Sequence, residues 1–297
     1  MGLDSRGLRV GRESSAGRDY NFRGRKPIGP MEPLRHPAVA GRFYPEDPDT
    51  LLSDLRSFLR AQEAPRPALA CMVPHAGYIY SGSVAGAVFA DLEIPPRCLL
   101  LCPNHTGRGR PLAIMSHGAW QTPLGSIPID SQLAETLKQR CPLLNEDAEA
   151  HRGEHAIEVV LPFLQQGRPQ LTFVPIALGT GHLAALEQLG EAVAAVAREQ
   201  PMLIIASSDM NHYENDQITR IKDTKAIDRM LALDARGLYE VVLQEDISMC
   251  GFGPAVAMLT AAKRLGATSA RLIKYATSGD VFGEREMVVG YAGVVVR

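Results

Sequence analysis

Three histidines of this sequence each follow a short apolar run within six residues. They are His75 after Ala68–Val73, His105 after Cys98–Cys102, and His212 after Met202–Ala206. Such runs are typical of buried strands in an open α/β sheet, and the loops behind parallel strands converge at one edge of that sheet. Imidazoles that converge in one crevice bind a metal ion or move protons. The spacing therefore predicts a shared metal or acid–base site, although a lone histidine in such a loop is more often structural.

Cys250 is a candidate soft ligand for the same site. It lies in the sequence MCGFGP at residues 249–254, ahead of an apolar-periodic helix whose first turn suits Pro254. A position beside the positive end of a helix dipole is expected to lower the pKa of the thiol and to favour the thiolate, which is the form that binds metal. Two histidines and a thiolate leave coordination positions open, as catalytic metal sites do. The alternative is a cysteine that fills a turn beside two glycines.

A further histidine-rich motif, HRGEH at residues 151–155, matches the H-x-x-E-H pattern of a class of zinc proteases. Gly153 lies inside the helical turn that this pattern needs, and Pro162 would disrupt the same helix downstream. The sequence therefore disfavours a protease. Glu154 and His155 are expected instead to begin a helix and to line the pocket.

The elements that must position these residues alternate along the chain. Continuous apolar runs predict four buried strands: Ala68–Val73, Cys98–Cys102, Leu171–Leu178 and Met202–Ala206. Two more strands are predicted at Arg271–Ala276 and Met287–Val296. Amphipathic stretches predict helices at Thr50–Arg60, Ser83–Leu92, Ser131–Gln139, Ala156–Gln166, His182–Glu199, Arg220–Ala232 and Pro254–Leu265. The pattern predicts one α/β domain over residues 31–297, in which helices flank a central, mainly parallel or mixed sheet.

Composition excludes several classes of protein. The 297 residues are 45% hydrophobic, which suffices for a large core, and the formal net charge of −2 provides no basic field for nucleic acid. Residues 1–30 carry seven basic and three acidic side chains, and this segment is predicted to be a disordered basic tail. Five cysteines without a C-x-x-C pair do not indicate a disulfide framework, and no apolar run is long enough to cross a membrane. We therefore expect a soluble, cytoplasmic protein with neither a nucleic-acid nor a membrane partner.

Six motifs, in order along the chain, resemble those of one known family. They are PHAGYIYSG at 74–82, CPNHTG at 102–107, EHAIEVVLPFLQ at 154–165, SSDMNHY at 207–213, CGFGP at 250–254 and VVGYAG at 288–293. Their order and spacing resemble those of the Memo-like proteins, which are called AmmeMemoRadiSam system protein B in prokaryotes. The resemblance extends from His36 to Val296 and leaves out the basic tail.

This resemblance implies a fold similar to that of class III extradiol ring-cleaving dioxygenases, which hold non-haem Fe(II) with two histidines and a carboxylate. The matching motifs imply that His75, His105 and Cys250 are metal ligands, with His212 as an acid–base residue and Asp209 beside it. A thiolate in place of the glutamate of the dioxygenases shifts the preference toward softer ions such as Cu(I) or Zn. The family name also implies two partners in a redox or modification pathway, an AMMECR-type protein and a radical SAM protein.

The resulting hypothesis is a mononuclear Fe(II) site, with Cu or Zn as alternative ions, that leaves positions for O₂ or a substrate oxygen. His212 would move a proton, and Asp209, three residues earlier, would orient its ring. Tyr78 and Tyr80, just after the first ligand, are candidates for binding a substrate oxyanion, unless they only pack. Two alternatives stay open: a class III extradiol-type dioxygenase of a small aromatic substrate, and a non-enzymatic adaptor that binds a peptide or holds a metal.

Overall fold

A computed structural model describes the fold over residues 33–60 and 63–297. The predicted basic tail, residues 1–30, lies outside the described residues. The strands in these ranges are β1 (Leu34–Arg35), β2 (Ala70–Val73), β3 (Arg97–Pro103), β4 (Leu112–Ile114), β5 (Ala119–Thr122), β6 (Gly125–Pro128), β7 (Asn145–Glu146), β8 (Thr172–Leu178), β9 (Leu203–Ser207), β10 (His212–Glu214), β11 (Ala270–Thr277) and β12 (Val288–Val296). The helices are α1 (Pro48–Phe58), α2 (Tyr78–Ala90), α3 (Ser131–Arg140), α4 (Glu149–Arg152), α5 (Leu161–Gly167), α6 (Leu183–Glu199), α7 (Asp216–Leu231), α8 (Ala235–Gln244), α9 (Phe252–Arg264) and α10 (Gly279–Phe282). Within the same ranges, no helix is both long and apolar enough to cross a membrane.

The central sheet has nine strands in the part of the chain that is described. Their order is β10-β12-β2-β9-β3-β8-β4-β7, and β11 pairs with β12. The middle strands β2, β9, β3 and β8 run parallel, so that Ile205 is in register with Cys71 on one side and Leu100 on the other. Strand β12 is antiparallel to β2, and β4 is antiparallel to β8. The predicted α/β domain with a mixed sheet is therefore confirmed.

Helices on both faces explain why the middle strands are apolar throughout. Alternate residues of β3 belong to two separate cores, with Leu99 and Leu101 in one and Leu100 and Cys102 in the other. Helices α3, α6, α7, α8 and α9 contribute to the first core, and α1, α2 and α5 contribute to the second. A strand that is covered on both faces has no solvent-facing side for polar residues. Polar side chains are therefore confined to the ends of these strands.

A small sheet, β1-β5-β6, is joined to the segment 151–158 by the buried Arg35. The Arg35 guanidinium lies 4.2 Å from the centroid of the Trp120 ring and forms an ion pair with Glu158. It also donates hydrogen bonds to the main-chain oxygens of His151 at 3.0 Å and Glu154 at 2.6 Å. These contacts fix the position of the segment that carries Glu154.

The predicted helix Ala156–Gln166 is shorter than expected. Helix α5 begins at Leu161 with Pro162 in its first turn, and residues 156–160 form turns. Proline is favoured in the first turn of a helix because its missing N–H would have no partner there. The expectation that Glu154 and His155 begin a helix was therefore wrong, and both residues lie in the connection between α4 and α5.

The carboxyl ends of β2, β3 and β9 meet at one edge of the sheet, because β9 pairs with both β2 and β3. The loops that follow these strands carry His75, His105 and Asp209. Cys250 reaches the same edge from the connection that precedes α9. The structure thus brings together loops that are far apart in sequence, as the pattern of strands predicts.

Candidate metal centre

His75 is almost fully buried, with 1% of its surface exposed. Its Nδ1 lies 2.8 Å from Ser207 Oγ, and the Ser207 hydroxyl donates to the Ala156 carbonyl at 2.7 Å. Because Ser207 gives its one hydroxyl proton to Ala156, it must accept a hydrogen bond from His75 Nδ1–H. A proton on Nδ1 leaves the lone pair on Nε2, which is the form of imidazole that binds metal. Burial also lowers the pKa of His75 and so favours the neutral ring.

His105 is held by the buried carboxylate of Glu154. Its Nδ1 lies 2.9 Å from Glu154 Oε1, and its main-chain N–H donates to Oε2 at 2.6 Å. The Ala156 N–H donates to Oε1 at 3.0 Å. Burial alone would raise the pKa of Glu154, but the hydrogen bond and charge of His105, with the Ala156 N–H, lower it to about 2. The ionised carboxylate holds the proton of His105 on Nδ1 and leaves Nε2 free, an arrangement typical of histidines that ligate metals.

Cys250 completes a set of three ligand atoms. One nitrogen each of His75 and His105, together with Cys250 Sγ, lie within 4.8 Å of one another. The sulfur is 3.3 Å from His75 Nε2, the nitrogen that the Ser207 contact leaves unprotonated. The Asp209 main-chain N–H donates to the sulfur from 3.3 Å. Two imidazole nitrogens and one sulfur fit a transition-metal ion such as Fe(II), Cu(I) or Zn(II).

The thiol of Cys250 does not have the low pKa that its sequence position predicts. Helix α9 begins at Phe252 with Gly251 as its N-cap, so the cysteine does stand next to a helix N-terminus. Burial nevertheless raises the pKa of the thiol, and the charge of Asp209 raises it further. The prediction was wrong because thiolate desolvation outweighs the helix dipole, which contributes roughly 0.3–1 kcal/mol at a helix end. A bound cation reverses this balance, because a coordinating thiol loses its proton.

His155 belongs to a second group of close donor atoms, with His105 and Glu154, in which the atoms also lie within 4.8 Å of one another. The two oxygens of Glu154 already accept three N–H groups. The His155 ring stacks on His105 with 4.8 Å between centroids, and Phe43 contacts it edge-on. Burial lowers the pKa of His155. This arrangement favours a neutral His155 that lines the cleft beside His75 and His105.

His212 stands at the start of β10 and lines the same cleft. Its Nδ1 lies 2.8 Å from the Ser248 carbonyl oxygen, so Nδ1 carries the proton and Nε2 is free. Asp209, which the sequence suggested as the residue that orients this ring, accepts a hydrogen bond from the His75 main-chain N–H at 2.8 Å. Burial raises the pKa of Asp209. Within the described residues, the Nδ1 partner of His212 is therefore the Ser248 carbonyl and not Asp209.

The cleft has a volume of about 530 Å³, which suits a small organic molecule. It is lined by the imidazoles of His75, His105, His155 and His212. The other lining residues include Asp209, Arg42, Phe43, Ile79, Tyr80, Tyr213 and Tyr291. Tyr80 thus lies where the sequence places a substrate-binding residue. Tyr78 does not, because it is buried in the core and its hydroxyl donates to the Val159 carbonyl at 2.9 Å.

Two serines position the site's histidines and were not recognised from the sequence. Ser207 is the last residue of β9 and accepts from His75, and Ser248 accepts from His212 between α8 and α9. Serine is common in turns of many kinds, so its residue type carries no specific signal. The available hint for Ser207 is its place at the end of a strand that leads into the loop of His212.

The chain is similar to proteins of one family over nearly all of its length. A profile of that family, described as Memo-like protein, matches residues 35–295. A MEMO1 family protein of Methanopyrus kandleri is 42% identical over 279 residues, which cover 89% of this chain and 99% of the relative. A MEMO1 family protein of Aquifex aeolicus is 42% identical over 265 residues, which cover 88% of this chain and 98% of the relative.

A solved structure, that of an uncharacterised protein from Escherichia coli K12, has a similar fold. The match has a TM-score of 0.50 at 14% sequence identity and covers 75% of this chain and 98% of the other. At this identity the similarity concerns the fold alone. The profile match and the two relatives, each 42% identical over most of the chain, establish more than the fold. They show that this chain belongs to the Memo-like protein family.

Proposed function

We propose that this Memo-like protein binds one transition-metal ion through His75 Nε2, His105 Nε2 and Cys250 Sγ. The convergence of one nitrogen of each imidazole and the Cys250 sulfur within 4.8 Å carries the proposal. Nδ1 of each ring is already hydrogen-bonded to a protein acceptor, which leaves Nε2 for the metal. The proposed resident ion is Fe(II), since two imidazoles, one anionic ligand and open positions are typical of non-haem iron sites. The thiolate also suits Cu(I) and Zn, which metal analysis distinguishes from iron.

The proposed reaction class is metal-dependent redox chemistry on a small molecule. The bound ion would supply Lewis-acid and one-electron chemistry at the coordination positions that the three side chains leave open. His212 would accept or donate a proton at Nε2, because its Nδ1 proton is held by the Ser248 carbonyl. Phe43, Tyr80 and Tyr291 line the cleft and offer apolar surface to a substrate.

Metal content tests the proposal. The protein is purified anaerobically without added metal, and iron, copper and zinc are counted by mass spectrometry. We expect about one ion per chain in the wild type and at least a tenfold lower content in the His75→Ala and Cys250→Ala variants, because each loses a ligand. His212→Ala should retain the ion, since its ring is held by Ser248 and is not a proposed ligand.

Two matched variants serve as controls. His182→Ala replaces an exposed histidine at the N-cap of α6, and Cys141→Ala replaces a buried cysteine at the C-terminus of α3. Both should keep the wild-type metal content. Equal metal contents in all variants would overturn the proposal, and equal losses in His75→Ala and His212→Ala would make His212 a ligand.

The pathway around this site stays a prediction of the family resemblance. It comprises the AMMECR-type and radical SAM partners. The two alternative functions, ring cleavage and adaptor binding, and the cytoplasmic location, which composition predicts, also stay predictions. The names of the two relatives state family membership and nothing about partners.

A further inference from the structure

Asn211, the residue before His212, is fully buried, and its side chain is fully hydrogen-bonded. Its Oδ1 accepts from the main-chain N–H of Ser248 at 3.0 Å and from the Ser248 hydroxyl at 3.1 Å. Its Nδ2 donates to Glu214 Oε2 at 2.7 Å and to Thr219 Oγ1 at 3.4 Å. The amide therefore uses both of its acceptor sites and both of its donors.

The main chain of Asn211 is also held on both sides. Its N–H donates to Asp223 Oδ1 at 2.8 Å, and its carbonyl accepts from the Gly290 N–H at 2.9 Å. Asp223 is buried and accepts a second hydrogen bond from the Tyr275 hydroxyl at 2.7 Å. A Cβ atom at position 290 would overlap Asp223 Oδ2, so a glycine is required where β12 approaches α7. These contacts fix the position of the Asn211 main chain.

Ser248 connects Asn211 to the ring of His212. Its hydroxyl oxygen accepts from the His212 main-chain N–H at 2.7 Å, and its carbonyl accepts from Nδ1–H at 2.8 Å. Ser248 also stands two residues before Cys250 in the same connection. The loop of the acid–base histidine and the loop of the metal-ligating thiol therefore form one hydrogen-bonded unit.

We propose that Asn211 is a positioning residue that acts through Ser248. It holds His212 as the Nδ1–H tautomer, with the Nε2 lone pair available in the metal cleft. A neutral imidazole that is not held in this way populates the Nε2–H tautomer as well, and that form cannot accept a proton at Nε2. The functional meaning of this inference rests on the proposed acid–base role of His212, whereas the tautomer itself exists with or without a bound metal.

The tautomer of His212 can be measured by nuclear magnetic resonance. Two-bond correlations between ring protons and ¹⁵N-labelled imidazole nitrogens are recorded on the full chain at about pH 8, where histidines are mostly neutral. We expect His212 of the wild type to be predominantly Nδ1–H. In Asn211→Ala the ratio of Nδ1–H to Nε2–H should fall about tenfold, the effect of one hydrogen bond of ordinary net strength.

A second variant keeps the test decisive if loss of the buried Asn211 disturbs folding. Ser248→Ala removes an exposed hydroxyl that accepts from the His212 main chain but keeps the carbonyl that accepts from the ring. We expect a shift of about threefold in the same direction. Asn145→Ala, which removes an exposed amide from β7, is the matched control and should leave the ratio unchanged.

Two outcomes would overturn the inference. One is a wild-type His212 that is predominantly Nε2–H, and the other is an unchanged ratio in Asn211→Ala and Ser248→Ala with native backbone spectra. Recording the same spectra before and after addition of Zn(II) separates the two proposals. A wild type that shows the expected tautomer but neither responds to Zn(II) nor contains iron, copper or zinc would refute the metal site and leave the role of Asn211 intact.

Discussion

Two buried carboxylates of this protein differ sharply in how they ionise. Glu154 lies beside His105, a proposed metal ligand, and Asp223 lies behind the loop of His212, and neither is accessible to solvent. Burial alone would raise the pKa of both carboxylates. The hydrogen bond and charge of His105, with the Ala156 N–H, bring the pKa of Glu154 down to about 2, whereas the pKa of Asp223 is raised to about 7.

The difference lies in what replaces the water around each carboxylate. Glu154 faces imidazoles that can carry positive charge, and its oxygens accept three N–H groups. Asp223 accepts from one main-chain N–H and one tyrosine hydroxyl, and the negative charge of Glu214 acts to raise its pKa. A buried carboxylate is thus charged where its donors are numerous and partly cationic, and it is readily protonated where they are not.

A third buried carboxylate, Glu158, is paired with a cation, Arg35. Removing this cation should have the largest effect, a loss of folding stability. Glu158 also accepts from the Tyr44 hydroxyl at 2.8 Å. Arg35→Leu leaves this charge buried without its cation, and we expect the free energy of unfolding to fall by about 3–5 kcal/mol in urea titrations. Arg56→Leu, at an exposed position of α1, should change it by less than about 0.5 kcal/mol. A similar small change in Arg35→Leu would show that hydrogen bonds suffice to stabilise Glu158.

Glu154→Gln should have the next largest effect, on metal affinity. An amide offers one acceptor oxygen where the carboxylate uses two, so its NH₂ group must face an N–H of His105 or Ala156. We expect the dissociation constant for Fe(II) or Zn(II), measured by competition with a chelator, to rise about 10–100-fold. Glu149→Gln, an exposed substitution in α4, is the control and should leave the affinity unchanged. Unaltered affinity in Glu154→Gln would mean that the charge of Glu154 does not strengthen metal binding by His105.

Asp223→Asn should have the smallest effect, and it is confined to the pH dependence of stability. The pKa of Asp223 is about 7 in the folded chain and about 3.9 in an unfolded one, so the folded state binds the extra proton between these values. The stability that this proton provides at acid pH is lost as the pH rises through 7. Between about pH 5 and pH 8, the free energy of unfolding should fall by about 2 kcal/mol more in the wild type than in Asp223→Asn.

The matched control for this measurement is Asp228→Asn, which lies on the same helix, α7, at an exposed position. It should keep the wild-type slope, because the substitution leaves Asp223 and its hydrogen-bond partners in place. Equal slopes in the wild type and Asp223→Asn would place the pKa of Asp223 near its ordinary value and remove the contrast with Glu154.

The central sheet was largely predictable from the sequence. The four apolar runs became β2, β3, β8 and β9 within two residues at each end, because a strand covered on both faces must be apolar throughout. The positions of His75 and His105 follow from the same rule, since a loop behind a buried parallel strand must open at the sheet edge. The short strands β4 and β7, of three and two residues at one side of the sheet, were not predicted, because segments of this length show no periodicity.

The electrostatics of the site were not predictable, because they depend on partners that are distant in sequence. The side-chain amide of Asn211 is hydrogen-bonded to Ser248, 37 residues later in the sequence, and no local sequence pattern predicts that contact. The pKa of Cys250 was predicted in the wrong direction, since a helix end is visible in the sequence and the depth of burial is not. Helix α8 was missed because it is short and carries Gly237 in its first turn, where glycine lowers helix propensity.

The wide sequence separation of the proposed ligands has a consequence for how the protein folds. His75 and Cys250 are 175 residues apart, and β2 pairs with β9 and β12, which lie far along the chain. Such contacts form slowly, because long loops must close before any pairing stabilises them. A partly folded chain therefore presents the proposed ligands singly, and stable capture of an ion by them would require that the sheet has already closed.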